Sequence, residues 1–508
     1  MKDINMEGMG IERQAGQMLM PRLDFRPGDP LPLARELVRD CHVGGFIVFG
    51  GEIEGLSKAT AELQCFSDIP LFFALDAERG VGQTVKGGTV FPHIMSLGAA
   101  GDEELAGRQG AFTAREMKGA GLNMAFAPVV DVNTNPANPI INVRSFGDDP
   151  LLVSRLGSAF IRGVQGEGVG ACAKHFPGHG GTDADSHEAL PVYRANMERL
   201  TDCELIPFKG AVEAGVSSIM TAHISNLKID GTGSPATLSP LVVGELLLGR
   251  LRFDGLVITD SFRMEGVKGA GTEADAVVTA VSAGCNIILD PEDPKGVYEA
   301  LIEAVSSGEM PSSMLKESAR KILFTKGRYI TSGHGGVQAD TDAGRDLCLE
   351  TARRSVCRLK GGGLERKKAR VFILDVTSSG PSRGRAFIEV LEEAGFVCRR
   401  VDVNTSDSGC VASGRDEAAV CVVYTGVAAW KEITALPDGY KEFLKGVSEM
   451  GGEKVLVSLG SPYVLSGMSG FDTVIGAFDG LECVERAAAR VLLERAEPRG
   501  RMPVKVEL

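Results

Sequence analysis

Short, continuously apolar runs recur along the first part of the chain, with helical periodicity between them. The runs are QMLMPR (17–22), GGFIVFG (44–50), LFFALD (71–76), MAFAPVVDV (124–132), GACAKHF (170–176), SSIMTAH (217–223), GLVITD (255–260) and CNIILD (285–290). A strand buried on both faces has no polar side to show, so it reads as an unbroken run of this kind. Amphipathic stretches such as EELAGRQGAFTAREMKGAG and PLLVSRLGSAFIRGVQGEG lie between the runs. Alternating strands and helices predict a parallel sheet, and eight such units fit a closed (β/α)8 barrel. The competing architecture is an open doubly wound sheet. The run endings favour the barrel, because most carry a polar group: Asp76, Asp131, His175, His223, Asp260 and Asp290. In such barrels the C-terminal strand ends build the active site.

The texture changes after Tyr329. TSGHGGVQADTDAG reads as a linker, followed by a helical stretch, RDLCLETARRSVCRL, and by KGGG. A second series of strands then begins: ARVFILDV (369–376), FVCRRVDV (396–403), AAVCVVYTG (418–426), KVLVSLG (454–460) and TVIGAFDG (473–480). Five strands with intervening helices predict a smaller, open α/β sandwich. No GxGxxG or Walker A pattern marks it as a nucleotide site. The expected organisation is a barrel over 1–330, a linker and connecting helix over 331–365, and the sandwich over 366–508.

Bulk properties narrow the function. The 508 residues carry 54 Lys and Arg against 67 Asp and Glu, a net charge of −13. An acidic chain repels phosphate backbones, so nucleic acid is not an expected partner. No run of 18 apolar residues predicts a membrane span. The N-terminus lacks the basic and apolar regions of a secretory signal. Eleven cysteines with no CxxC pair predict reduced thiols and a cytoplasmic location.

The densest chemistry is KHFPGHGGTDADSH, Lys174 to His187, which holds three of the seven histidines. As a metal site, His175, His179, Asp185 and His187 would be the ligands. Their H-x3-H-x7-H spacing matches neither HExxH nor a zinc finger. As a phosphate cradle the loop fails, since acidic residues follow its glycines. A purely solvated loop would explain any one of these residues, but it explains the combination poorly. A catalytic loop fits best. Asp185 and His187 stand two apart on a turn, where a carboxylate raises the imidazole pKa and fixes its tautomer. His187 is then a candidate proton donor and acceptor near neutral pH. Gly178, Gly180 and Gly181 let the loop fold back over the barrel mouth, and Lys174 and His175 present donors there. GLVITDSFRM supplies Asp260 at the end of the seventh run as a candidate nucleophile. A nucleophile and a proton shuttle flanking one cavity are the minimal equipment for retaining glycoside hydrolysis.

At these residues the sequence resembles the glycoside hydrolase family 3 β-N-acetylglucosaminidases of the NagZ type. KHFPGHGGTDADSH and VITDSFRM carry the resemblance, with APVVDVNTNPANPIINVRSFGDDP (127–150), TAHI (221–224) and PATLSP (235–240) in family order. The resemblance implies that Asp260 is the nucleophile, His187 the acid/base and Asp185 its paired carboxylate. It implies that Asp76, Arg144, Lys174, His175 and His223 bind the sugar, with no metal or other cofactor. A histidine in this role avoids placing a second carboxylate charge beside Asp260. His179 is left as loop structure.

The implied activity is exo-acting, retaining removal of terminal GlcNAc, with cytoplasmic muropeptides as substrates. A phosphorylase releasing GlcNAc-1-phosphate is the alternative, since a histidine acid/base tolerates an anionic acceptor. A binding protein without turnover is the rival outside enzymes. β-Glucosidase specificity lacks support, because the His/Asp loop belongs to the acetamido-sugar subfamily. The chain departs from the family at Asp76-Ala-Glu78-Arg79-Gly80, where many relatives read D-x-E-G-G, and at Asn286, where relatives often carry Asp. The dyad falls wholly in the first domain, so the second is expected to be dispensable for the chemistry.

Overall fold

A computed structural model describes residues 8–182, 190–269, 271–330, 341–377, 382–404, 416–426 and 436–508. Asp185 and His187 lie outside the described residues. The chain forms two compact units. One comprises Met1–Val90, Glu103–Val132 and Val153–Gly344; the other comprises Phe91–Asp102, Asn133–Leu152 and Arg345–Leu508.

The first unit contains strands β1 (Leu19–Met20), β2 (Arg22–Asp24), β3 (Gly45–Phe49), β4 (Phe72–Leu75), β5 (Met124–Ala125), β6 (Gly170–Phe176), β7 (Ser218–Thr221), β8 (Leu256–Ile258) and β9 (Ile288–Leu289). Strands β2 to β8 form one parallel sheet in chain order. β1 pairs in parallel with β9, and a parallel bridge joins Ile258 to Ile287. Only Pro21 separates β1 from β2, so the ring closes into the eight-stranded barrel that the apolar runs predict. Proline has no N–H to give to a ladder, which accounts for the break between β1 and β2. The same rule shortens β5. Its apolar run continues to Val132, but Pro128 interrupts the ladder, and only a Val129–Lys174 bridge resumes it. That interruption matters, because Asp131 follows it.

The second unit is built on strands β10 (Cys357–Lys360), β11 (Lys368–Asp375), β12 (Val397–Asp402), β13 (Ala418–Tyr424), β14 (Lys454–Leu459) and β15 (Thr473–Ala477). Their order is β10-β15-β14-β13-β11-β12, parallel except for β10. Strand residues alternate between two cores. Val371 and Ile373 face the helices Arg385–Glu393 and Glu482–Leu492, while Phe372 and Leu374 face the helix Asp438–Ser448. This is an α/β sandwich.

β10 differs from the helical reading of RDLCLETARRSVCRL. The helix ends at Ser355, and Cys357 and Arg358 pair antiparallel with Gly476 and Ile475. The strand is four residues long and sits at an edge, so its own pattern is too short to overrule a preceding helix.

Two segments from the first third of the chain belong to this second unit. The Arg501 N–H donates to the Ala99 carbonyl at 2.9 Å, and the Asp148 N–H donates to the Pro503 carbonyl at 3.0 Å. Gly98 is glycine because a Cβ there would collide with the Phe146 carbonyl.

Candidate active site

The polar strand ends β4, β6, β7, β8 and β9 lie in the first unit. Lys174 is 2% exposed, yet its ammonium meets two carboxylates: Asp76 Oδ1 at 2.6 Å and Glu78 Oε1 at 2.8 Å. A cation this deep must be paired. Between Lys174 and Phe176 the register against β7 slips, leaving His175 as the extra residue of a bulge. Bulges of this kind re-aim side chains beside active sites.

His175 is turned onto Asp131, whose Oδ2 lies 2.8 Å from its Nδ1. Asp131 also accepts the N–H of His175 at 3.2 Å and that of His179 at 2.7 Å. Burial alone would raise the Asp131 pKa, but the charge and hydrogen bond of His175, helped by His179, outweigh it and hold it below the usual aspartate value. His179 goes the other way: burial, then the neighbouring charge of His175, pushes it down to about 4. Its Nδ1 lies 2.8 Å from the Thr182 hydroxyl, which itself donates to the His179 carbonyl. The Thr182 oxygen therefore accepts, and His179 is a neutral imidazole with its proton on Nδ1. His179 is thus a structural knot at the foot of the loop.

Asp260 follows β8. Its N–H donates to the Thr221 carbonyl at 3.1 Å, and its Oδ1 accepts the Ser261 N–H at 2.8 Å. Ser261 is tethered from two further sides. Its hydroxyl donates to Asp290 Oδ2 at 2.9 Å, and its carbonyl faces His223 Nε2 at 3.1 Å. The other nitrogen of His223 lies 2.9 Å from the Thr237 hydroxyl, and the ring is fully buried, edge-on to Phe262. Asp290 is 1% exposed and takes the fork of Arg22 at 2.8 and 2.6 Å, and Arg263 Nε at 3.2 Å. One buried carboxylate thus organises two arginines and the residue next to Asp260.

These groups stand at the C-terminal ends of neighbouring parallel barrel strands. Burial raises the Cys172 thiol in β6 to about 12, and Lys174, Asp76 and Asp260 all act on it electrostatically. The charge of Asp260 also reaches His179. The barrel therefore brings Asp76, Lys174, His175, His223 and Asp260 together. Arg144 belongs to the other unit, on the 3-10 turn Asn142–Arg144, where its Nη1 donates to the Ile140 carbonyl at 2.9 Å. Among the described residues, no group of three His, Cys, Asp or Glu side chains is placed to hold a metal ion. Asn286, a departure from the family, receives the Val257 N–H at 2.9 Å and donates to Ser318 at 3.1 Å, which makes it a strut behind β8.

A mouth of this composition on a closed barrel agrees with the family comparison. The profile described as "Glycosyl hydrolase family 3 N terminal domain" matches residues 10–324, more than half of the chain. The protein belongs to glycoside hydrolase family 3.

It is 35% identical over 277 residues to a β-hexosaminidase of Thiobacillus denitrificans, covering 53% of this chain and 76% of that one. It is 28% identical over 438 residues to a β-N-acetylglucosaminidase/β-glucosidase of Cellulomonas fimi, covering 80% and 77%. Among solved structures, a family 3 β-N-acetylglucosaminidase from Paenibacillus sp. str. FPU-7 is 30% identical, covers 98% of this chain and 99% of its own, and has a TM-score of 0.84. A β-glucoside phosphorylase at 24% identity, covering 98% and 95%, shares the fold with a TM-score of 0.89.

This family 3 enzyme has helpers that motif reading missed. Glu78, Ser261, Arg22 and Arg263 carry no motif of their own, and Asp131 and Asp290 stand out in the sequence only as strand ends. The D-A-E spacing after β4 was the available signal for Glu78. No helix among the described residues is long and apolar enough to cross a membrane.

Proposed function

We propose that this glycoside hydrolase is an exo-acting, retaining β-N-acetylglucosaminidase. Asp260 is the nucleophile, and His187, paired with Asp185, is the acid/base. The observation that carries the reading is the setting of Asp260: a partly exposed carboxylate at the end of the seventh barrel strand, with one oxygen held by the Ser261 N–H and with Ser261 tethered in turn. The names of the β-hexosaminidase and β-N-acetylglucosaminidase relatives support the acetamido-sugar class.

In the first step an Asp260 oxygen attacks C1 of the sugar as the bond to the aglycone oxygen breaks. His187 gives its proton to that oxygen. In the second step His187 takes a proton from water, the water oxygen bonds to C1, and the ester to Asp260 breaks, releasing GlcNAc. Asp76 and Lys174, joined at 2.6 Å, are assigned to the sugar hydroxyls. His175 is oriented for the same task by Asp131. Arg144 is assigned to the sugar from the family pattern. His223 is assigned to holding the Ser261 carbonyl, a contribution to binding made through the chain next to Asp260. The proposed substrates are GlcNAc-terminated muropeptides met in the cytoplasm, and residues 1–330 are taken as the catalytic part.

Turnover of an aryl β-GlcNAc by wild type and by Asp260→Ala tests the reading. Activity should vanish in the variant, and near-normal activity would refute it. Product analysis in excess phosphate separates the outcomes: free GlcNAc supports hydrolysis, and GlcNAc-1-phosphate establishes phosphorolysis instead.

A further inference from the structure

The residues between Thr182 and Leu190 include Asp185 and His187. Both stems of that segment are described, and both are anchored. On the entry side, Asp131 accepts the His175 and His179 N–H groups. On the exit side, the Tyr193 N–H donates to the Ser225 carbonyl at 2.8 Å, and the Ser225 N–H donates to the Pro191 carbonyl at 2.9 Å.

One side chain touches both stems. Glu204 is 1% exposed and ends the π-helical turn Leu200–Glu204. Its Oε1 accepts the Tyr193 hydroxyl at 2.5 Å, and Arg199 Nε lies 3.6 Å from the same oxygen. Its stem lies under Gly178 of the entry side. Gly178 has φ +130°, and a Cβ there would stand 2.8 Å from Glu204 Cβ and 2.9 Å from Cγ. Only glycine tolerates both that backbone and that approach. Burial, then Glu204, raises the Tyr193 phenol, so it stays protonated and donates. A buried carboxylate is costly to keep, and its Oε2 has no hydrogen-bond partner among the described residues. Local helix stability gives no reason for a glutamate here, since an apolar residue would fill the space without that cost.

We propose that Glu204 is a positioning residue for proton transfer: it fixes the two stems relative to each other, and so sets where the acid/base stands against Asp260. This rests on the reading of His187 as the acid/base. It requires no contact between Glu204 and the substrate.

The test uses the full chain with Glu204→Gln and Tyr193→Phe. The substrates are three aryl β-GlcNAc glycosides with 2,4-dinitrophenol, 4-methylumbelliferone and phenol as leaving groups. A displaced acid harms the poor leaving group most. The expected result is a fall in kcat/KM of roughly 10- to 100-fold for the phenyl glycoside, against less than about threefold for the dinitrophenyl one, since general acid catalysis is worth about 10²- to 10⁴-fold in all. A uniform loss across the three, or full activity in both variants, overturns the proposal. Tyr193→Phe leaves the packing of Glu204 under Gly178 in place, so it decides the matter should Glu204→Gln fail to fold. His187→Ala in the same series is the separate check on the underlying reading. If its losses do not steepen with leaving-group pKa, the His187 assignment falls, whatever the Glu204 variants show.

Discussion

Asp131→Asn should loosen the whole catalytic face of the barrel while changing no group assigned to touch substrate. Asp131 is fully buried and accepts from three donors: the His175 and His179 N–H groups and His175 Nδ1. A hydrogen bond to a charged group contributes about 1.5–3 kcal/mol, against about 1 kcal/mol for a neutral one. Losing the charge across three such bonds therefore costs roughly 2–5 kcal/mol. At about 2–4 °C per kcal/mol for a domain of a few hundred residues, the barrel's melting temperature should fall by roughly 5–15 °C. The pH dependence has a fixed sign. The folded Asp131 pKa is held below its unfolded value. Its stabilisation is therefore fully present above an ordinary aspartate pKa of about 3.9, and it is lost as pH falls through the folded value. Asparagine does not titrate there. Thermal melts of wild type and variant should differ by a constant gap from about pH 5 to 8, and that gap should narrow below about pH 4. A melting shift under about 1 °C at pH 7, or a gap that stays constant down to pH 3, would refute the assignment of Asp131 as the anchor of the loop.

Two other buried charges give predictions of their own. Lys326 is fully enclosed, its ammonium 2.5 Å from Gln17 Oε1 and 5.3 Å from the centre of the Phe72 ring, and burial lowers its pKa well below the usual value. The folded chain thus binds fewer protons than the unfolded one below the ordinary lysine pKa, so Lys326→Met should gain stability over wild type by up to about 1.4 kcal/mol per pH unit as pH drops from 10 to 7; parallel denaturant curves across that range would contradict this. Asp290→Asn removes the partner of Arg22 and Arg263, which are about one third exposed at 33% and 37% and so partly screened. Denaturant melts should show a loss of about 1–3 kcal/mol, and kcat should fall because Ser261 loses one of its two tethers; unchanged kcat would separate Asp290 from the nucleophile.

The barrel was legible because buried parallel strands leave unbroken apolar runs, and each of the eight runs maps onto the barrel ring. β10 was not, because four edge residues after a helix carry too little pattern. The loop Lys174–His187 was legible as chemistry, since its residues are consecutive. Its supports were not, for a reason that can be stated in residues. Lys174 meets Asp76 across 98 positions, and Arg22 meets Asp290 across 268. No local spacing announces such pairs; only ring closure brings β2 beside β9.

His179, loop structure by its sequence, depends on distant residues in the same way. Its partner Thr182 is three residues away, but what keeps it neutral is burial by the surrounding fold and the neighbouring charge of His175, which outweigh the opposing pull of Asp131, 48 positions upstream. His175 and His179 therefore share one carboxylate and play opposite parts. His175 meets Asp131 through both its ring and its N–H, whereas His179 gives Asp131 its N–H and turns its ring to Thr182. A sequence shows that histidines are close together. Which of them pairs its ring with a carboxylate is set by where a distant aspartate lies.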